Sequence, residues 1–372
     1  MGITFDDVLL VPVKSSVKSR SLVNLSTKLT RGITLKIPII PANMDTVTES
    51  PMAITVAREG GIGIIHRFQS IERELEEVKK VKKIEDMVLR HPLKLKPSDT
   101  LEKLWYNVDR FNVSSFVITN EAGALLGLVT KRDYQFEYDP KTRIDKIMTP
   151  VKKLVTAQEE TSIEQAKTIL HKNRVEKLPL IGAGNKFCGL YTVKDIVNFE
   201  SKPNALRDAK GRLMVGASVG VTGDFLERAL ELNKAEVDAL VVDVAHGHAE
   251  HVFTALKKLR GALPRLQIIA GNVATYEGAI DLIKCDVDGI KVGIGPGSVC
   301  TTRIVAGVGV PQLTAIVDCS RACREAGIPL IADGGVKNSG DVVKALAMGA
   351  DVVMAGNKFC GYFRVARRNY CH

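Results

Sequence analysis

Asp288-Gly-Ile-Lys-Val-Gly293-Ile-Gly-Pro-Gly297-Ser-Val-Cys300-Thr-Thr-Arg303 joins two kinds of chain in one short run. Gly289–Val292 is apolar enough to read as a short buried strand, the kind found in a parallel sheet covered on both faces. Behind it comes a loop with three alternate glycines, where the backbone can turn sharply and come close to a ligand or ion. A cysteine at the end of such a turn, with amides and an arginine nearby, is favoured as the thiolate and can act as a nucleophile. A lone Gly-x-Gly would read better as a tight turn with an inert thiol. The Ser, Cys, two Thr and Arg packed beside it favour chemistry.

The same unit, an apolar strand ending in polar residues, recurs on both sides. Ahead of it lie Ile37–Met44 and Gly60–Ile65, separated by a helix from Pro51 to about Glu59 and followed by an amphipathic helix from Ser70. Further strands read at Leu213–Val219, Ala239–Val244, Leu266–Ala270, Pro329–Ala332 and Asp351–Met354, with helices such as Gly223–Leu232 and Ala249–Leu259 between them. Strand–helix alternation predicts a parallel α/β fold. Two strands before the middle of the chain and six after it make a (β/α)8 TIM barrel, with another domain inserted after the second unit. The boundaries read as 1–86 and 204–356 for the barrel, 87–203 for the insert and 357–372 for an atypical tail.

The insert repeats itself. Gly127-Leu-Val-Thr130-Lys-Arg-Asp133 matches Gly189-Leu-Tyr-Thr192-Val-Lys-Asp195, 62 residues apart, and Thr100-Leu-Glu matches Ser162-Ile-Glu upstream. Each copy reads as a short strand, a helix, two strands and a helix, and two copies can bury each other's apolar faces. The Thr-x-x-Asp falls where a strand meets a helix. Thr130 with Asp133 and Thr192 with Asp195 could cap that helix, or could hydrogen-bond a ribose with a phosphate near the helix start; spacing supports both equally.

Composition narrows the function classes. The 372 residues are 45% hydrophobic and 25% charged, an ordinary globular balance. No apolar run approaches the ~20 residues of a membrane helix, and the start lacks a signal peptide's basic and apolar regions, so a cytoplasmic location is expected. Seven cysteines without framework spacing point to reduced thiols. The net charge of +10 is spread among acids, as in Glu72–Lys83, without aromatic interleaving. That excludes a specific nucleic-acid reader and favours anionic small molecules.

The polar residues gather at strand ends, where a barrel keeps its active site. They are Asp243-Val-Ala-His246-Gly-His248, Gly271-Asn272, the Gly293–Arg303 loop, Asp333-Gly334-Gly335 and Gly356-Asn357. Gly334, Gly335 and Gly356 suit an anion, since a phosphate often sits on the last two loops of a barrel. His246 and His248 flank a glycine, with no third histidine or acid close in sequence, so zinc is not expected there.

With these motifs in place, the chain resembles the IMP dehydrogenase / GMP reductase family from residue 3 to about 356. The specific matches are Phe5-Asp-Asp-Val-Leu-Leu10, Met44-Asp-Thr-Val-Thr-Glu49, Gly271-Asn272-Val, Gly293–Arg303 and Ala332-Asp-Gly-Gly335. The resemblance implies that Cys300 attacks C2 of IMP, that NAD takes the hydride, and that water hydrolyses the thioimidate to XMP. Thr302 then assists proton transfer. Ser298, Asp333, Gly334, Gly335, Gly356 and Asn357 fall on the IMP side. Asp243, Asn272, Lys291, Gly293 and Gly295 fall on the NAD side. Carbonyls of Gly295, Gly297 and Cys300 match a monovalent-cation (K+) site. The insert looks like a tandem CBS pair, a regulatory module for adenine or guanine nucleotides, and the family forms homotetramers.

Ile304-Val-Ala-Gly-Val-Gly-Val-Pro-Gln312 is nearer the dehydrogenase than the reductase, which converts GMP to IMP with NADPH. Asn357 departs from the family serine. The end of the chain, Tyr362–His372, matches no part of the family's later flap, so a truncation with impaired turnover is expected. A third reading is a non-catalytic nucleotide-binding regulatory protein.

Overall fold

The structure, a computed structural model, describes residues 2–84, 88–89, 92–111 and 113–356. It divides into two compact units, 1–85 with 204–372 and 86–203. Asn357, expected at the end of the last strand, and the atypical tail beyond it lie outside the described residues.

The first unit is an eight-stranded parallel sheet. Its strands are β1 (Ile39–Pro41), β2 (Gly63–Ile65), β3 (Val215–Val219), β4 (Ala239–Asp243), β5 (Gln267–Val273), β6 (Gly289–Val292), β7 (Leu330–Asp333) and β8 (Val352–Ala355). Hydrogen bonding runs β1-β8-β7-β6-β5-β4-β3-β2, every pair parallel. Between β1 and β2 the amide of Lys36 donates to Gly60 O at 2.8 Å, so the sheet is a nearly closed barrel. Helices alternate with the strands: α1 (Ser50–Arg58), α2 (Ile71–Ile84), α3 (Phe225–Lys234), α4 (Glu250–Ala262), α5 (Tyr276–Ile283), α6 (Gln312–Ala326) and α7 (Ser339–Ala347).

Period-two alternation sorts the strand residues into two cores. Ile40, Ile64, Val241, Ile269, Ile331 and Met354 pack together with Leu29 and Leu35 as the barrel interior. Their neighbours Leu240, Val242, Ile268, Ala270, Leu330 and Val353 pack outward on helix residues such as Leu232, Leu256, Leu282 and Ile316. Leu29 follows the first strand and Leu35 ends the second strand of a short antiparallel hairpin, Thr27–Lys28 with Thr34–Leu35, that was not expected from the sequence.

Several strands start or end one to three residues away from the boundaries expected from sequence, and part of the reason is chemical. Asp238, Asp288 and Asp351 each stand just before a strand. Their carboxylates accept the amides of Val215 (2.7 Å), Ile268 (2.8 Å) and Leu330 (2.8 Å) at the start of the preceding strand. The side chain thus satisfies a donor that the ladder leaves open.

The second unit carries the repeat. Lys94–Leu95, Ser115–Thr119, Leu125–Thr130 and Thr149–Pro150 form one sheet; Ala157–Gln158, Lys177–Ile181 and Phe187–Thr192 form the other. Helix Leu101–Phe111 corresponds to Ile163–Asn173 at the same 62-residue offset as the sequence motifs. Val117, Leu125, Leu128, Phe187 and Leu190 make a shared core of the two copies, as the repeat predicted.

One buried charge pair ties α2 to α3. Arg228 donates to Glu74 Oε2 at 2.5 Å, to Asp224 Oδ2 at 2.8 Å and to Gln69 O at 3.1 Å. Burial pushes the Glu74 carboxyl up to about 8, against the pull of Arg228. No helix among the described residues is long and apolar enough to cross a membrane. Replacing Arg228 by Met is expected to cost roughly 3–5 kcal/mol in urea unfolding, because Glu74 stays buried without its partner. The folded pKa of Glu74 lies above the ordinary value of 4.5. Both chains therefore lose stability as pH rises from 4.5 toward 8, and the variant's deficit widens above about 8, where Glu74 ionises beside Arg228 in the wild type but has no partner in the variant. Glu74→Leu in the same chain should restore most of the loss.

Candidate active site

The inward-facing positions turn polar at the C-terminal rim. Two residues beyond Val241, Gly289 and Ile331 on the same faces stand Asp243, Lys291 and Asp333. Lys291 is buried, and its Nζ lies 2.7 Å from Asp243 Oδ1 and 2.7 Å from Asp333 Oδ2. Burial works against the ammonium, yet the two carboxylates outweigh it and hold its pKa above the ordinary lysine value. Burial likewise works against the Asp243 carboxylate, but the charges of Lys291 and Arg67, with the Asn43 side chain nearby, keep it below the usual range.

Asn272 completes the cluster. Its Nδ2 donates to Asp333 Oδ2 at 2.9 Å and to Gly293 O at 2.7 Å. Its Oδ1 is buried without a hydrogen-bond partner, as is His66 Nε2 at the end of β2. Buried acceptors and donors left open at a barrel rim are where a polar ligand finds its contacts.

The loop after β6 is shaped by contacts that only glycine tolerates. Gly293 has φ +147°, and a Cβ there would sit 2.0 Å from Asp333 O. At Gly295 a Cβ would meet the Arg303 side chain at 2.6 Å. Arg303 in turn donates to Val310 O at 2.9 Å, folding the loop back on itself. Gln312, buried at the start of α6, donates to Val292 O at 3.0 Å and to Asp333 O at 3.1 Å, bracing the ends of β6 and β7.

Within this loop the Cys300 amide donates to Gly297 O at 3.1 Å, and Cys300 Sγ lies 3.2 Å from Thr302 Oγ1. The hydroxyl and amide of Thr302 lower the Cys300 pKa, with help from the Gly295 amide and the Arg303 charge. The other cysteines described behave oppositely: burial pushes Cys323 up to about 12, and it raises Cys188, Cys285 and Cys319 as well. Among the described cysteines Cys300 is therefore the one favoured as the thiolate.

Gly334 and Gly335 follow β7 with φ +95° and +79°. A Cβ on Gly334 would lie 3.0 Å from Pro296 and 3.1 Å from Gly297 N, so this turn packs against the cysteine loop. Ser298 is exposed on that loop. Gly356 follows β8, and among the described residues no atom lies within 4 Å of where its Cβ would stand; Asn357 lies outside the described residues. In the insert, Thr130 N and Oγ1 donate to Asp133 Oδ2 at 2.7 and 2.8 Å. Thr192 accepts from the Asp195 amide at 3.1 Å. All four residues cap helices. An open cavity of about 830 Å³ in that unit is lined by Thr156, Gln158, Glu160, Thr161, Glu164 and Gln165, not by these caps.

The structure thus joins Asp243, Asn272, Lys291, Gly293 and Asp333 directly, and Gly295, Gly297, Cys300, Thr302 and Gly334 through one loop. Sequence reasoning missed Asn43, Arg67 and Gln312. The first two come just after β1 and β2, the position that identified the other rim residues. His248 pairs with Asp281 at 3.0 Å, an acid distant in sequence. Among the described residues no group of three or more His, Cys, Asp or Glu is arranged to hold a metal ion.

Comparison with known proteins adds to this geometry. Residues 2–365 match the family model described as IMP dehydrogenase / GMP reductase domain. Inosine-5'-monophosphate dehydrogenase of Nitrosopumilus maritimus is 48% identical over 97% of this chain and 75% of its own length. The enzyme of the same name from Bacillus subtilis is 49% identical over 97% and 74%. A solved structure of GMP reductase from Trypanosoma brucei with guanosine 5'-triphosphate superposes with a TM-score of 0.90 at 42% identity, covering 96% of this chain and 86% of that one.

Limiting iodoacetamide at neutral pH is expected to label Cys300 first among the described cysteines, read by peptide mass spectrometry. Thr302→Val should slow that labelling several-fold, as it removes the hydroxyl that steadies the thiolate.

Proposed function

We propose that this chain, which belongs to the IMP dehydrogenase / GMP reductase family, oxidises IMP to XMP through Cys300. The observation that carries the reading is the low-pKa Cys300 thiol on a loop packed against the Gly334 turn and braced to Asp333. The Cys300 thiolate attacks C2 of the purine, and the C2 hydride leaves to give a thioimidate. Bound NAD supplies the hydride acceptor. Water then adds at C2, and the C–S bond breaks to release XMP and the thiol, with Thr302 moving a proton at Sγ. Asp333 takes the ribose hydroxyls, and the Gly334, Gly335 and Gly356 amides with Ser298 and Asn357 hold the phosphate.

Asp243, Asn272, Gly293 and Gly295 form the NAD side, and the open Asn272 Oδ1 fits a carboxamide N–H. Lys291 acts through Asp243 and Asp333 rather than on the cofactor itself, since both carboxylates already occupy its ammonium. Neutral carbonyls of Gly295, Gly297 and Cys300 suit a hard, singly charged cation such as K+, which would stiffen the loop beneath Sγ. We assign the insert as a CBS pair for adenine or guanine nucleotides and the assembly as a homotetramer.

The reductase reading draws on the 42% identical GMP reductase structure, whereas Ile304–Gln312 and the curated relatives favour the dehydrogenase. Mixing the chain with IMP and NAD should produce NADH, with a Cys300 adduct visible by mass spectrometry. Cys300→Ala should abolish both. Turnover unchanged in that variant overturns the assignment, and faster NADPH oxidation with GMP than NADH formation with IMP moves it to the reductase.

A further inference from the structure

The N-terminal turn and the Gly334–Gly335 turn share an apolar contact that the proposed reaction does not use. Phe5 is 3% exposed, although it stands on a single 3-10 turn, Phe5–Asp7. Asp7 Oδ2 closes that turn by accepting from Thr4 N at 2.5 Å and Thr4 Oγ1 at 2.9 Å. Three further contacts fasten it to the end of the barrel that holds the site. Ile3 N donates to Thr314 Oγ1 on α6 at 2.8 Å, Lys344 Nζ on α7 donates to Phe5 O at 2.7 Å, and Lys337 pairs with Asp6 at 2.7 Å.

The ring lies against Gly335. A Cβ at Gly335 would be 3.3 Å from Phe5 Cε2 and 3.3 Å from Pro296 Cβ, so this glycine is held between the aromatic ring and the cysteine loop. Among the described residues neither the Gly334 nor the Gly335 amide is spent in a backbone hydrogen bond. Two glycines with positive φ have little stiffness of their own, and donors aimed at an anion are effective only when held in place.

We infer that Phe5 is a positioning residue for anion binding: its ring backs Gly335 against Pro296 and fixes the two glycine amides toward the phosphate of the nucleotide. The inference rests on the assignment of this turn to the phosphate. A residue that merely fills the core would weaken every ligand of the site alike, whereas a residue that sets this turn weakens only ligands carrying a phosphate.

Calorimetric titration of the full chain with IMP and with inosine separates the two. The wild-type chain should bind IMP more tightly than inosine. Phe5→Ala should lower IMP affinity about tenfold while leaving inosine affinity unchanged, and Phe5→Leu should recover most of the loss. Thr314→Val loosens the same turn without opening the core, and should show a smaller loss of the same selectivity if Phe5→Ala does not fold. Equal losses for IMP and inosine, or unchanged IMP affinity, overturn the inference alone. A wild-type chain that binds inosine as well as IMP overturns the phosphate assignment and the inference with it.

Discussion

A single buried ammonium holds the rim of the barrel together. Lys291 stands between the ends of β4 and β7 and neutralises Asp243 and Asp333, which would otherwise repel each other in a site of low polarity. Removing one partner of a buried charge group typically costs several kcal/mol because the others stay behind unpaired. The arrangement does more than stabilise. It places a carboxylate assigned to the nucleotide ribose and one assigned to the dinucleotide on the same cation, with Asn272 bridging to the cysteine loop through Gly293 O. Two short contacts through Lys291 thus link the two carboxylates.

The cysteine loop has little regular structure, so its shape comes from close approaches. Gly293 lies where any side chain would strike Asp333 O, and Gly295 lies where one would strike Arg303. Gln312 fastens the ends of β6 and β7 from behind. Such a loop gains order from its walls as well as from its own hydrogen bonds, and the N-terminal turn, distant in sequence, reaches one of those walls at Gly335, which lies between Phe5 and Pro296.

The eight strands were legible because strands covered on both faces are near-continuous apolar runs. Their edges were less so, since Asp238, Asp288 and Asp351 sit beside the ladders but act through their side chains. The rim residues after the later strands could be picked out once strand ends were placed, and period two even puts Asp243, Lys291 and Asp333 on inward faces. Their pairing could not be read, because it depends on which strands are neighbours in space. Asn43 and Arg67 were overlooked for a simpler reason: each is an ordinary polar residue after its strand, with no glycine turn following it to draw notice. Thr130 with Asp133 and Thr192 with Asp195 show the opposite limit. Their spacing suits a cap and a ligand contact equally, and only the folded chain displays the capping hydrogen bonds.

Burial alone does not decide how this protein's ionisable groups behave. It raises Glu74, Cys319 and Cys323, yet Asp243 is as deeply placed and is held low. The difference lies in what each group meets. Glu74 has one guanidinium that it shares with Asp224, whereas Asp243 meets Lys291, Arg67 and Asn43 together. Cys319 and Cys323 lie in an apolar helix interface, whereas Cys300 has a hydroxyl, two amides and an arginine directed at its sulfur. Among the described residues the chain therefore keeps thiols raised by burial and one thiol that is lowered, and the lowered one owes its state to loop geometry that the glycines make possible. A substitution that preserved Cys300 but displaced the Gly295 amide would weaken that support while leaving the thiol in the sequence.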